Sequence, residues 1–357
     1  MKPLRVLRLE GNAIRRGHAH GEAYAEAIRA YAEERIHLAA NGTWAGRPVT
    51  PDDVLALARA MLPAHEAYDA DLYAELLALA EAAGVSPEAA LVAGGFTDVV
   101  DAVRNAGGDA PEEDDCTAVL VPPSRAGGLG GLFAQTWDMH DSATPHVVLL
   151  DVRPVDAPRA LVFSTLGCLG QIGLNEAGIT VGINNLVCTD GRPGVTWNFA
   201  VRRALAATTF EGAVKAIRDA ELAGGHNYMV MDAAGRGLNL ECTGRMRVET
   251  VLSEVPIVHT NHCVHDETRP WEAKRDAGLL ASSHQRLATA QEALAAGEVG
   301  VQRLQQLMAE PTCICRHGEP PGHIETSGAI VVQPRTRTLW ATWGPPDQNP
   351  WERFRCE

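Results

Sequence analysis

Along residues 13–40, apolar side chains recur three and four positions apart among Ala, Glu and Arg, the spacing of a helix with one buried face. Thr50-Pro51-Asp52-Asp53 is a helix start, with a capping hydroxyl, proline in the first turn and acids at the positive end of the helix dipole. Ser86-Pro87-Glu88 repeats the signal ahead of the apolar run 89–93. Up to about Val103 the pattern predicts helices almost throughout. It then breaks. Residues 105–115, NAGGDAPEEDD, combine glycine, proline and acids and predict a loop.

From Cys116 the period changes to short β-branched runs divided by turns. Strands are predicted at 117–121, 132–137, 147–152, 160–165 and 179–184, with hairpin connections at 175–178 and 232–235. A helical block at 197–222 precedes strands at 228–232, 238–242 and 257–260. Helices at 283–295 and 301–308 follow, and the chain closes on a hairpin of 329–333 with 338–342. Hairpin-linked strands with helices in blocks predict an α+β fold of antiparallel sheets packed with helices. No internal repeat or low-complexity tract is present.

The length of 357 residues is a prior for two domains, and the natural division is the break near residue 115. Apolar residues make up 46% of the chain, enough for a large core. The formal net charge of −14, with no Lys/Arg run, argues against a nucleic-acid partner. No run of 18 apolar residues occurs and the N-terminus has no signal-peptide pattern, so no membrane partner and a cytoplasmic location are expected. The eight cysteines are then expected to be reduced thiols.

Cys116 stands where the acidic loop turns into the first strand. Its commonest fate would be that of a buried small hydrophobe. The position also allows a thiol to attack the carbonyl before it, release the upstream chain and become a new N-terminus. A freed α-amine, with an ordinary pKa near 7.7–8, can serve as base toward its own thiol. Metal binding is the rival chemistry. His18-x-His20, His262-Cys263 with His265, and Cys313-x-Cys315 with His317 all lack the paired spacing of a structural zinc site, so no metal and no cofactor are expected. His18 and His20, two apart on a helix, point away from each other. Gly127-Gly128-Leu129-Gly130-Gly131 lies between two strands and lacks a phosphate-loop Lys, which predicts a tight turn. No G-x-S-x-G elbow is present.

Seven fragments in order carry a resemblance. They are Gly17-His18-Ala19-His20-Gly21, Asp115-Cys116-Thr117, Thr136-Trp137-Asp138, Gly173-Leu174-Asn175-Glu176-Ala177-Gly178 with Asn184, His259-Thr260-Asn261-His262-Cys263, His284-Gln285-Arg286, and Cys315-Arg316. In these the chain resembles the isopenicillin-N (acyl-coenzyme A:6-aminopenicillanic acid) acyltransferase-like family of N-terminal-nucleophile hydrolases. The resemblance implies a four-layer αββα sandwich spanning residues 1–357 as one fold. It also implies autocleavage between Asp115 and Cys116 into pieces 1–115 and 116–357 that stay associated, with further oligomerisation open.

By the same resemblance Cys116 is both the autoprocessing residue and the mature nucleophile. Asp138 matches an acid that orients the N-terminal amine. Asn184 and Asn261 match donors around the oxyanion, and Arg316 matches a buried arginine beside the nucleophile that would pair with Asp138. Read from the residues alone, Asp138 could be a strand-end turn residue, Asn184 part of an Asx turn and Arg316 a surface arginine. One residue departs from the pattern: Asp115 stands where the fungal acyltransferase has Gly, setting an anion beside the scissile carbonyl. The activity implied is hydrolysis of a small, non-peptide amide through a thioester on Cys116. Acyl transfer between an amide or coenzyme A thioester and an amine is the alternative. An uncleaved, non-catalytic binding protein is the alternative of another class.

Overall fold

The computed structural model describes residues 3–105, 116–318 and 323–357. The predicted cleavage point at Asp115 and the acidic run before it lie outside the described residues.

The N-terminal segment opens with a strand, β1 (Val6–Gly11), and continues through six helices. These are α1 (Ala13–Ala23), α2 (Ala25–Ala40), α3 (Pro51–Tyr68), α4 (Ala70–Ala83), α5 (Pro87–Gly94) and α6 (Phe96–Asn105). The expected start signals work as caps. Thr50 and Asp53 form a capping box with Pro51 in the first turn of α3, and the Ser86 hydroxyl accepts from Ala89 N at the head of α5. The helices of this segment are joined tightly: Gly17 and Gly21 of α1 lie against the α4 backbone, where a Cβ would approach Glu75 O to 2.2 Å and Leu79 O to 2.5 Å. Among the described residues no single helix is long and apolar enough to cross a membrane.

The rest of the chain builds two sheets. Its strands are β2 (Cys116–Val121), β3 (Leu132–His140), β4 (Val147–Pro154), β5 (Ala160–Thr165), β6 (Ile172–Asn175), β7 (Thr180–Leu186), β8 (Gly225–Met231), β9 (Gly237–Cys242), β10 (Arg247–Val251), β11 (Ile257–His259), β12 (Ile324–Gln333), β13 (Thr338–Trp343) and β14 (Glu352–Arg355). One sheet runs in the order β1-β4-β5-β6-β7-β8-β9-β10, the other β11-β2-β3-β12-β13-β14. They pack face to face, with β2 against β7 and β8. Helices α7 (Trp197–Leu205) and α8 (Phe210–Asp219) cover the larger sheet, and α9 (Ala277–Leu294) and α10 (Val301–Met308) cover the smaller one. This is the four-layer αββα sandwich.

Three expectations are corrected. The sheets are not wholly antiparallel, because β1 pairs with β4 in parallel, Leu7 opposite Leu150. The six-residue VLRLEG run carries two charges and one fully buried side chain, Leu9, so its alternation is weak. The block at 197–222 is two helices, α7 ending at Leu205 and α8 starting from the cap Thr209, whose hydroxyl accepts from Gly212 N. The segment before Cys116, expected to be helical almost throughout, also carries β1. It supplies an edge strand of the larger sheet, and its side chains share one core with both sheets.

Buried polar contacts reinforce this union. Glu75 of α4 receives Arg16 at 2.6 Å and Arg202 of α7 at 3.2 Å. Asp98 of α6 accepts from Trp197 N at 2.7 Å. His20 faces inward while His18 is half-exposed, as their spacing on one helix requires.

Candidate active site

Strand alternation sorts the residues around Cys116 onto two faces. Cys116 lies opposite Trp137, and Ala118 opposite Gln135. These side chains face the larger sheet, where Gln135 exchanges hydrogen bonds with the Ile183 backbone of β7. Thr117, Thr136 and Asp138 alternate to the other face, beneath α9. Cys116 and Asp138 are both fully buried.

The backbone of Cys116 is gripped at both ends by side chains. Its N–H donates to Asn261 Oδ1 at 2.6 Å, and its carbonyl accepts from Arg286 Nη1 at 2.5 Å. Arg286 Nη1 also reaches Thr117 Oγ1 at 3.3 Å, and Nη2 donates to Asn261 Oδ1 at 3.1 Å. The Asn261 carboxamide nitrogen donates to Asn185 O at 3.2 Å. This fixes its orientation: reversing it would set an NH2 against the Cys116 N–H and a guanidinium, donors against donors. Asn261 thus turns an acceptor, not a donor, toward Cys116.

A rigid loop holds Asn261 there. Asn261 N donates to Ser283 Oγ at 2.9 Å, and Arg275 donates to Asn261 O. The buried Glu241 of β9 collects the rest of the loop through His259 Nε2 at 2.7 Å, Val264 N at 3.0 Å, His265 N at 3.2 Å and the Thr268 hydroxyl. Burial alone would raise its pKa, but the hydrogen bonds and charge of His259, with Thr268 and Val264, prevail and hold the carboxyl at about 2.

Asn184 sits on β7, the strand of the opposite sheet that packs on β2. It is fully buried, and its Oδ1 accepts from Asn227 Nδ2 at 3.4 Å. Its own Nδ2 has no hydrogen-bond partner among the described residues. A buried NH2 left open is a ready donor. Beside Trp137 lies a narrow cavity of about 20 Å³, room for one water, walled by Tyr31, Phe96 and Thr97 of the N-terminal segment and by Gln171, Trp197 and His226.

Arg316 departs from expectation. It is half-exposed rather than buried. Its backbone is tied to Thr326, the residue opposite Asp138 on β12, through Thr326 N to Arg316 O at 3.0 Å and Arg316 N to Thr326 Oγ1 at 2.8 Å. Its guanidinium reaches Ser282 Oγ at 3.0 Å, and Arg286 Nε meets the same hydroxyl at 3.5 Å. The buried arginine at the nucleophile is Arg286. It belongs to a matched fragment yet draws no role from the sequence. A signal was present, since Ser283, Arg286, Ala290 and Leu294 are the buried stripe of α9, and a charge on such a stripe needs a partner.

The structure thus brings Cys116, Asn261 and Arg286 into direct contact, sets Asp138 beneath the same strand with Arg316 tied to its cross-strand partner Thr326, and sets Asn184 across the sheet interface.

The chain aligns over 153 residues, 27% identical, with the acyl-coenzyme A:6-aminopenicillanic-acid-acyltransferase 40 kDa form of Emericella nidulans, covering 42% of each protein. It thus spans less than half the length of that curated relative. Among solved structures, a mutant of the conjugated bile acid hydrolase from Clostridium perfringens matches at TM-score 0.46 and 10% identity, covering 67% of this chain and 96% of that one. Penicillin V acylase from Agrobacterium tumefaciens matches at TM-score 0.38 and 12% identity, covering 64% and 82%. The model of the acyl-coenzyme A:6-aminopenicillanic acid acyl-transferase family matches residues 125–348, well over half of the sequence. The chain belongs to that family.

Proposed function

We propose that the chain is an autoprocessing cysteine amidohydrolase that cleaves a small, non-peptide amide through a thioester on Cys116. One observation carries this reading: Cys116, at the head of its strand, has its N–H held by the Asn261 carboxamide oxygen and its carbonyl by Arg286. An acceptor that holds an amide N–H serves equally for the α-ammonium of a new N-terminus. This arrangement supports a site that serves the cut chain as well as the whole one.

In processing, the Cys116 thiol attacks the carbonyl of Asp115, the peptide nitrogen departs as the α-amine, and water hydrolyses the resulting thioester. In turnover the same amine takes the thiol proton, the thiolate attacks the substrate amide, and the α-ammonium protonates the leaving amine. Water, deprotonated by the amine, then releases the acid. Asn184 Nδ2 is the oxyanion donor in this reading, and Asn261 orients the amine together with Asp138 from below the strand. The carboxamide geometry supports this division of roles over a donor role for both asparagines. Arg316 acts at one remove, by steadying Arg286 through Ser282. The shared core supports fragments that stay docked.

The name of the Emericella nidulans relative favours a second outcome from the same thioester, in which an amine or a coenzyme A thiol intercepts it in place of water. Mass spectrometry of fresh protein, with a panel of acyl amides and thioesters to trap acylated Cys116, tests the proposal. Fragments of 115 and 242 residues and an acyl adduct on Cys116 are expected, both absent in C116A. A full-length chain that persists on incubation sinks autoprocessing and leaves the binding-protein reading; undiminished amidase activity in C116A sinks the site.

A further inference from the structure

On the outer side of the smaller sheet, the segment before β12 meets the turn after β13, and three potential metal-binding side chains converge. Cys315, buried, donates its thiol to Asp347 Oδ1 at 3.2 Å. His317 Nε2 lies 3.1 Å from Asp347 Oδ2. The ligand atoms of all three fall within 4.8 Å of one another. Among the described residues this is the one group of three or more His, Cys, Asp or Glu side chains so placed. Spacing in the sequence assigns no metal here, because Cys313, Cys315 and His317 lack the paired spacing of a structural zinc site. The fold supplies a third ligand from 30 residues downstream of His317.

The donor set is a thiol, an imidazole and a carboxylate, the ligand types of a three-residue zinc site with its fourth position left to solvent. In a tetrahedral site with bonds of about 2.0–2.3 Å, neighbouring ligand atoms stand roughly 3.3–3.5 Å apart. The spacings of 3.2 Å to Asp347 Oδ1 and 3.1 Å to Oδ2 are close to these values, and with all three ligand atoms within 4.8 Å of one another a turn of the carboxylate and a modest side-chain shift bring them to one ion. Both contacts hold a proton between donor and carboxylate, which is where a cation would sit. The outer environment fits as well. Gln348 Nε2 lies 3.3 Å from His317 Nδ1, so its carboxamide, turned over, offers an oxygen to Nδ1–H once Nε2 binds metal. Side-chain exposures of 36% for His317 and 26% for Asp347 leave a path for the ion.

We propose that Cys315, His317 and Asp347 form a binding site for a divalent zinc-type cation with an open fourth position. On binding, the Cys315 proton goes to solvent and the His317 proton moves from Nε2 to Nδ1, so one proton is released per ion. The bound cation pins the chain on either side of Arg316, whose guanidinium reaches Ser282 beside Arg286. This inference is independent of the proposed reaction.

Cobalt(II) is the probe, titrated into the full chain carrying C116A so that the nucleophile thiol cannot compete. One equivalent is expected to bind, with a sulfur-to-cobalt charge-transfer band and the strong visible bands of tetrahedral cobalt. C315S should lose the charge-transfer band, and H317A and D347N should each weaken binding at least tenfold, with circular dichroism checking that each variant is folded. No cobalt uptake, the same spectrum in C315S, or unchanged affinity in both H317A and D347N overturns the proposal.

Discussion

The two faces of the β2–β3 pair at Cys116 carry different kinds of chemistry. The face toward the larger sheet holds the Cys116 side chain, Trp137 and, across the interface, the open Nδ2 of Asn184, with few charges among them. The face beneath α9 holds Arg286, Thr117, Asp138 and the Arg316–Ser282 link. A strand separates the two, so groups below it act on the backbone of Cys116 and groups above it act on whatever its sulfur attacks. Inner residues should therefore set the rate at every pH, whereas outer ones should set whether the residue is held and how its amine titrates.

The largest effect is expected below the strand. R286A takes the guanidinium from Cys116 O and one of two donors from Asn261 Oδ1, which keeps the Cys116 N–H, and the loss of these buried hydrogen bonds costs about 1–3 kcal/mol. Loss of processing and a clear drop in urea midpoint are expected, with partial rescue in R286K, which retains one donor site. Full-rate cleavage in R286A would erase the distinction between the faces. Above the strand, N184A should lower kcat by on the order of a hundredfold without changing the shape of the pH profile. A pH profile displaced by N184A would place Asn184 with the amine instead.

D138N tests the outer face more gently. Removing an anion near the α-ammonium lowers the amine pKa, so the acid limb of kcat/KM should move to lower pH, by about one unit. A profile that keeps its position while kcat falls would make Asp138 a structural residue of β3.

The same division explains what was legible in the sequence. The strand runs from Cys116 onward, the helix caps at Thr50 and Ser86, and the turns at 175–178 and 232–235 depend on local chemistry, and they stand where expected. The turn at Gly178, for example, has φ of +84°, which only glycine adopts freely. β1 was not legible, because its pairing with β4 is made across more than 130 residues and its two charged side chains mask the period. Cys116, Asp138, Asn184 and Asn261 could be named, since each sits in a matched fragment. Which atom of Asn261 faces Cys116 is decided by Arg286 and Asn185, contacts that no spacing reveals. Arg286 draws no role from the sequence beside Arg316, because both are arginines in matched fragments and only the buried stripe of α9 marks Arg286. Asp347 joins Cys315 and His317 through the fold alone.

The smallest expected effect concerns how the N-terminal segment is held to the rest. His20 Nε2 accepts from Gly167 N at 3.1 Å, and His65 Nε2 accepts from Thr196 N at 3.0 Å while its Nδ1 donates to Met61 O. Both rings must be neutral at Nε2, since a proton there would confront an N–H. Burial drives both pKa values down to about 4, against the pull of Glu75 on His20 and of the Met61 carbonyl on His65. A histidine whose folded pKa lies below its unfolded value of about 6.5 loses stability as pH falls through 6.5, because the unfolded chain takes up the proton first. Between pH 7 and pH 6 each ring should cost about 0.7 kcal/mol. Glu241, held at about 2, stays ionised across this window, and its contribution is lost only in stronger acid, as pH falls below about 4.3 toward 2. Urea titrations of the uncleaved C116A chain with and without H65Q at the two pH values isolate one ring, and H65Q should lessen the loss of stability between pH 7 and pH 6 by about 0.7 kcal/mol. An equal pH response in the two chains would mean that the contact tying the segment to Thr196 opens before the chain unfolds.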